Sequence, residues 1–325
     1  MAAARAPEEL HRLAGELPAG LHLGTSSWSF PGWRGIVWEG AESQTRLARH
    51  GLPAYAQHPL LNGVGIDRSY YQPLATEEYA AYAAQVPAGF RFVVKAHEAV
   101  TVSAWPDHDR YGGRRGEPNP RFLDAAYAAG EVVQPFAEGL GDKGGALVFQ
   151  FAPQDLGIPA RFVDRLHAFL AALPRGPLYA VELRNREVLS AAHAAAYAAA
   201  LADVGAIHCA NRHPRMPEVA VQAERTGAAA APAFLCRWML RPGLTYEGAR
   251  QRYHPFDRLV DDDLPTRRAL AEIALATTAR GRPVYVLANN KAEGSSPLTL
   301  FRLAERVARL RREGHPLAGP GPGPG

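Results

Sequence analysis

Five short apolar runs in this chain end on side chains that carry charge or amide groups. FRFVVKAHE (90–98) reaches Lys95, ALVFQFAP (146–153) reaches Gln150, and YAVELRNRE (179–187) reaches Glu182 and Arg184. FLCRWM (234–239) reaches Arg237, and VYVLANNK (284–291) reaches Asn289 and Asn290. A charge beside a buried strand costs roughly several kcal/mol unless it is paired or faces a wet cavity. Repetition of that arrangement predicts one shared polar site. Glu182 and Arg184 are two apart on a strand and so face the same side. They form either an ion pair that closes the top of the fold, or a carboxylate base beside a guanidinium that binds an anionic substrate group. Lys95 either pairs with Glu182 or is a desolvated amine of lowered pKa, able to act as a base or to form a Schiff base. Asp67, in GVGIDRS (63–69), is a second candidate acid, and with Glu182 it would make a glycosidase-like carboxylate pair. Lys95, Glu182, Arg184 and Asp67 are therefore the candidate catalytic residues.

A wider set is expected to bind the substrate. The loop SSWSFPGW (26–33) is unusually aromatic, so Ser26, Trp28 and Trp33, with Phe30, either line a pocket or plug it. Tyr70 and Tyr71 offer apolar rings with a polar handle. His97, Gln150, Asn211 and Arg237 stand at or just past strand ends. Asn289, Asn290 and Ser296 belong to NNKAEGSSP, where amides, a lysine and a helix N-terminus together suit an anion. Ordinary helix capping by Ser296 is the alternative. GDKGG (141–145) precedes a strand, which puts it at the opposite end of the fold. RYGGRRG (110–116) lies in a long loop, 99–118, and reads as solvated. The candidate metal ligands Asp67, His97, Glu182, His208 and His213 are scattered, with no HxH or HExxH spacing. No cofactor is expected, and a metal ion is left open.

These residues require a scaffold of strands. The candidates are 21–26, 63–69, 90–96, 146–151, 178–184, 206–211, 234–238 and 283–289. Helical patterns lie between them. PARFVDRLHAFLAAL (159–173) places Phe162, Leu166, Phe169 and Leu170 on one face. SAAHAAAYAAALADVG (190–205) and PTRRALAEIALATTARG (265–281) both end on glycine. Asn119-Pro120 and Ser296-Pro297 read as N-cap followed by an N1 proline. Eight alternations of strand and helix predict an α/β fold, a single closed (β/α)8 TIM-like barrel, with an open doubly wound sheet as the alternative. The expected organisation is an N-terminal helical extension over 1–20, the barrel over 21–312 and an unstructured Gly/Pro tail over 313–325.

Composition agrees with this frame. The chain has 325 residues, 47% of them apolar, a length that one α/β barrel can use as a single core. Its net charge of +4 tolerates an anionic partner without demanding one. Two cysteines, Cys209 and Cys236, lie inside expected strands and read as buried thiols in a reducing compartment. No apolar stretch approaches the roughly 20 residues of a membrane span. The first twenty residues lack the apolar core of a signal peptide. A cytoplasmic location is expected, with no membrane partner.

GTSSWSFPGWRG (24–35) resembles the opening motif of the YecE-like family, a domain of unknown function with a TIM-barrel fold. GIDRSYYQPL (65–74), FRFVVKAHEAVT (90–101), GALVFQFAP (145–153), AVELRNREV (180–188) and VLANNKAEGSSP (286–297) are similar to further stretches of that family, in the same order. The resemblance covers roughly 21–310. It implies the fold but no particular activity. The family usually has an acidic residue ahead of its aromatic pair, where this chain has Gly65 and then Asp67. The continuation NRHPRMP (211–217) reads as a subgroup feature.

Two classes of function fit these residues. The first is an enzyme of hydrolase or lyase type, acting on a small polar or anionic substrate, phosphorylated or sugar-like, at the C-terminal ends of the strands. The second is a protein that binds nucleic acid or another phosphorylated polymer, endonuclease-like in character. The near balance of 36 basic and 32 acidic residues favours the small molecule. A barrel serving only as a scaffold is a third possibility.

Overall fold

The structure is a computed structural model that describes residues 1–314; the Gly/Pro tail expected to be unstructured lies, from 315 onward, outside the described residues. Eight parallel strands close into one barrel in sequence order. They are β1 (Leu21–Thr25), β2 (Gly63–Ile66), β3 (Arg91–Lys95), β4 (Gly144–Phe151), β5 (Tyr179–Leu183), β6 (Ile207–Arg212), β7 (Phe234–Trp238) and β8 (Val284–Ala288). β8 pairs with β1 from Leu21↔Val284 to Thr25↔Ala288, which completes the cylinder and excludes the open sheet.

Alternation along each strand separates two cores. Side chains such as Leu23, Val64, Phe92, Leu147, Val181, Phe234 and Val286 pack outward in a large core shared with the helices. Val93, Val148, Ala180, Cys209, Leu235 and Leu287 form a second, smaller core inside the barrel. Two residues further along each of those strands stand Lys95, Gln150, Glu182, Asn211, Arg237 and Asn289. Side chains repeat with a period of two on a strand, so all six belong to the inner face, one layer above the apolar filling.

The outer ring includes the helices Thr76–Ala83, Pro159–Ala171, Ala194–Asp203, Leu264–Thr278 and Ser296–Arg312. The N-terminal helix Glu8–Glu16 lies against the last of these, where Arg311 Nη1 donates to the Glu16 carbonyl at 2.7 Å and Arg312 pairs with the Glu16 carboxylate. Two expected helix starts are corrected. Asn119-Pro120 does not open a helix. The Asn119 amide instead donates to the carbonyls of Ala99 and Val102, and Asp124 caps the short helix Ala125–Ala128. Ser296 is the first helical residue of Ser296–Arg312 and not its cap. Asn290 takes the capping role, because its Oδ1 accepts from both the backbone N–H and the hydroxyl of Ser296 at 2.8 Å.

Candidate active site at the C-terminal mouth of the barrel

Arg237 is the hub of the polar layer. It is only 2% exposed, and Nη1 donates to Glu182 Oε2 at 2.6 Å and to Gln150 Oε1 at 2.8 Å. Nη2 donates to both carboxylate oxygens of Asp67 at 3.2 Å. β4 sets Gln150 opposite Glu182 of β5, so one guanidinium from β7 reaches both across the barrel. The planar fork of arginine suits such multiple contacts, which a lysine amine could not reproduce. Glu182 is fully buried, and its Oε1 accepts from Arg184 Nε at 2.8 Å. Burial alone would push this carboxyl up, but Arg184 and Arg237 outweigh it and hold it down at about 2.

Of the two readings of Lys95, the pairing with Glu182 is not seen. Its amine makes no hydrogen bond or ion pair with Glu182; the cation that Glu182 meets from across the barrel is Arg237. The Lys95 Nζ instead lies 3.9 Å from the centre of the Tyr70 ring. The placement has a local cause. Residues Arg68–Tyr70 form a tight 3-10 turn directly after Asp67, and Ser69 Oγ donates to the Lys95 carbonyl at 2.7 Å. That bond fixes the turn against the end of β3 and sets the buried Tyr70 ring beside the amine. Burial lowers the amine's pKa, against Asp67, which raises it, and the value falls to about 8. The layer thus holds three cations, Lys95, Arg184 and Arg237, against two carboxylates, Asp67 and Glu182. One positive charge is left without a direct partner among the described residues.

Asp67 and Glu182, the glycosidase-like pair, are tied to the same guanidinium, and Glu182, held near 2, is not suited to be the proton donor of such a pair.

Several expected binding residues are structural instead. Trp33 is 0% exposed, and its indole N–H donates to Asn290 Oδ1 at 3.1 Å. Trp28 packs edge-on against Tyr82 of the helix Thr76–Ala83, at 5.4 Å, and Phe30 packs against Phe256 at 5.8 Å. The aromatic loop therefore packs as a plug beside β1. Gly32 allows that seating, since a Cβ there would lie 1.7 Å from the Pro255 carbonyl oxygen. Asn211 is fully buried and donates to the Leu183 carbonyl at 3.1 Å. At the anion site expected from Asn289, Asn290 and the helix start at Ser296, the Asn290 oxygen is taken by Ser296 and Trp33, while Asn290 Nδ2 is buried with no partner among the described residues. Arg237, expected to reach the same space, is turned on its three acceptors. Asn289 remains half-buried, donating to Ser26 Oγ at 2.9 Å.

The rim beside Tyr70 was less visible in the sequence. Tyr71 is 60% exposed, with the Arg110 guanidinium 4.8 Å from its ring centre. Arg110 also pairs with the buried Glu98 at 2.6 Å, and Tyr111 Oη donates to the same carboxylate at 2.9 Å. The long loop is thus anchored at Arg110, where a solvated run was expected. Burial raises the Glu98 carboxyl's pKa despite Tyr111 and Arg110. His97 meets Tyr127 Oη at 2.7 Å, and burial lowers the imidazole to about 4. Glu98 closes the run FRFVVKAHE with no distinguishing pattern, and Tyr127 lies thirty residues from His97 in an Ala-rich segment.

The candidate metal ligands do not assemble: no group of three or more His, Cys, Asp or Glu suited to a metal ion occurs among the described residues. His208 bonds to Tyr197 at 3.0 Å and to Gln222 at 3.1 Å. Lys143 of GDKGG caps the carbonyls of Ala83 and Val86 at 2.6 and 2.7 Å. A cavity of about 260 Å³, lined by Leu170, Pro174, Arg175, Leu178, Tyr179 and Pro232, also lies at the start of β5, far along the strand from this polar layer. No helix among the described residues is long and apolar enough to cross a membrane.

Comparison with known proteins agrees with the fold. No curated protein matches the chain. A DUF72 protein of Enterococcus faecalis is similar in structure, with a TM-score of 0.61 and 18% identity, over 88% of this chain and 95% of that one. A DUF72 protein of Thermotoga maritima gives 0.59 and 17%, over 90% and 99%. The family model described as "Protein of unknown function DUF72" matches residues 22–321, and the YecE-like family is this same family. The chain belongs to the DUF72 family and folds as a (β/α)8 TIM barrel.

Proposed function

We propose that this protein is an enzyme of hydrolase or lyase type that takes a small anionic substrate at the C-terminal mouth of the barrel, with Lys95 as the group that performs the chemistry. The observation that carries this reading is the Lys95 amine, buried at 9% exposure, outside every ion pair, in a layer of three cations and two carboxylates. Glu182, Arg237 and Gln150 act as a rigid frame. Their hydrogen-bonding groups are turned on one another, so they position the mouth and leave Lys95 and the outer parts of Arg184 and Asp67 for the substrate. A substrate anion would balance the excess positive charge, and burial would strengthen that attraction. The charge lies inside the barrel and not along an outer face, which favours a small molecule over a polymer. The free buried thiols Cys209 and Cys236 support a reducing compartment such as the cytoplasm.

The test is a thermal-shift and turnover screen over phosphoesters, sugar phosphates, carboxylates and lactones, run on the native protein and on Lys95→Met. A stabilising anion whose effect disappears in Lys95→Met supports the reading. Stabilisation only by neutral compounds, or equal stabilisation of both proteins, contradicts it.

A further inference from the structure

The chain meets almost every need for a cation with arginine. Of its 36 basic residues only three are lysines: Lys95, Lys143 and Lys291. Two have roles that need no reactivity. Lys143 donates to two helix-end carbonyls, and the Lys291 amine sits 4.0 Å from the centre of the Tyr246 ring. Lys95 shares the aromatic contact of Lys291, at 3.9 Å from the Tyr70 ring centre, but it stands on the inner face of the barrel beside Asp67, in a layer whose other cations are arginines, and it caps no carbonyl and forms no ion pair among the described residues. A guanidinium stays protonated and is a poor nucleophile, whereas an amine can be deprotonated and attack carbon. We propose that Lys95 forms a Schiff base with the carbonyl carbon of an anionic aldehyde or ketone; this rests on the proposed anion site at the same mouth.

The geometry supplies the parts of that reaction. The flat Tyr70 ring beside Nζ shields one side of the amine without accepting its protons in an ion pair. Asp67, held by Arg237, is the carboxylate that acts most strongly on the amine and can relay its protons. The neutral amine adds to the carbonyl carbon, giving a carbinolamine. The former carbonyl oxygen then takes up two protons in all and leaves as water, and the C=N bond forms. The substrate's anionic group would lie on the side of Arg184, whose Nε and Nη2 hold Glu182 while Nη1 makes no bond among the described residues.

Borohydride trapping tests this directly. The full-length protein is incubated with pyruvate, glyoxylate or dihydroxyacetone phosphate, with neutral dihydroxyacetone as control, reduced with borohydride and mapped by peptide mass spectrometry. Melting is followed in parallel. The expected result is a mass gain equal to the substrate less one oxygen, on Lys95 and not on Lys143 or Lys291. The gain should be lost in Lys95→Met, and lost in Lys95→Arg while anion-induced stabilisation persists. An anion that stabilises the native protein but leaves no adduct on Lys95 overturns the Schiff base and leaves the anion site standing. Adducts on Lys95 that form equally well with neutral dihydroxyacetone keep the Schiff base and overturn the anion site. Neither stabilisation nor adduct with any compound overturns both, while adducts spread evenly over the three lysines overturn the Schiff base alone.

Discussion

Arg237 and Glu182, separated by 55 residues in the chain, meet at 2.6 Å inside the barrel with both side chains almost fully buried. This pair does the work that the sequence suggested for Lys95 and Glu182. Inward residues of alternate strands meet in one layer. The partner came from β7 and not from β3. Arginine makes the better buried partner, since one guanidinium reaches Glu182, Asp67 and Gln150 together. Lys95 is thereby left over.

Replacing Glu182 with Gln should destabilise the fold, because Arg184 and Arg237 lose the carboxylate that compensates their burial. Loss of one member of a buried ion network costs about 3–5 kcal/mol. The sign with pH follows from the native pKa of about 2, below the ordinary 4.5 of a glutamate. The contribution is present in full above about 4.5 and is lost as pH falls toward 2. Urea melts of native protein and Glu182→Gln should therefore differ most at neutral pH and converge between those limits. A neutral effect at pH 7 would show that the pair is not structural.

The opposite sign is expected for Lys95→Met. The folded protein depresses this amine from 10.5 to about 8, so its charged form destabilises the native state. At about 1.4 kcal/mol per unit, Lys95→Met should gain up to about 3 kcal/mol at pH 7. Between about 8 and 10.5 the native amine sheds its proton before the unfolded one does, so native stability rises with pH and the advantage of the variant shrinks. Thermal or urea melts at pH 7 and pH 10 read this. A variant less stable than the native protein at pH 7 would mean that Lys95 has a stabilising partner.

Asn290→Ala tests the reassigned cap. It strands the buried donors of Trp33 and Ser296 and should cost about 1–3 kcal/mol for each one left unpaired. Restoration by Asn290→Asp, which keeps the accepting oxygen, would separate capping from bulk. If Asn290→Ala melts like the native protein, the cap assignment is wrong.

The barrel was legible because its signal is local. Each apolar run is a few residues long, carries its own alternation and ends on its own polar residue. The inner faces followed from parity: Val93 and Lys95, or Leu235 and Arg237, share a side by spacing alone. What parity could not give was angle and reach around the cylinder, which decide that Arg237 and not Lys95 meets Glu182. The role of Trp33 was hidden for a related reason. Aromatic residues in a loop suit a pocket or a plug equally well, and the choice depends on Asn290 at the other end of the chain. Loop residues such as Glu98 and Arg110 pair through a fold of the loop on itself, which no periodicity records.

The central claim is that Lys95 is an unpaired, desolvated amine within a frame of paired charges. With only three lysines, reductive methylation with carbon-13 formaldehyde gives a spectrum that can be assigned by Lys95→Arg, Lys143→Arg and Lys291→Arg variants and followed with pH by NMR. The Lys95 resonance should titrate near 8, well below the ordinary 10.5 of a lysine amine. A midpoint at or above 10.5 would mean that the amine is held by a carboxylate, and would contradict the account.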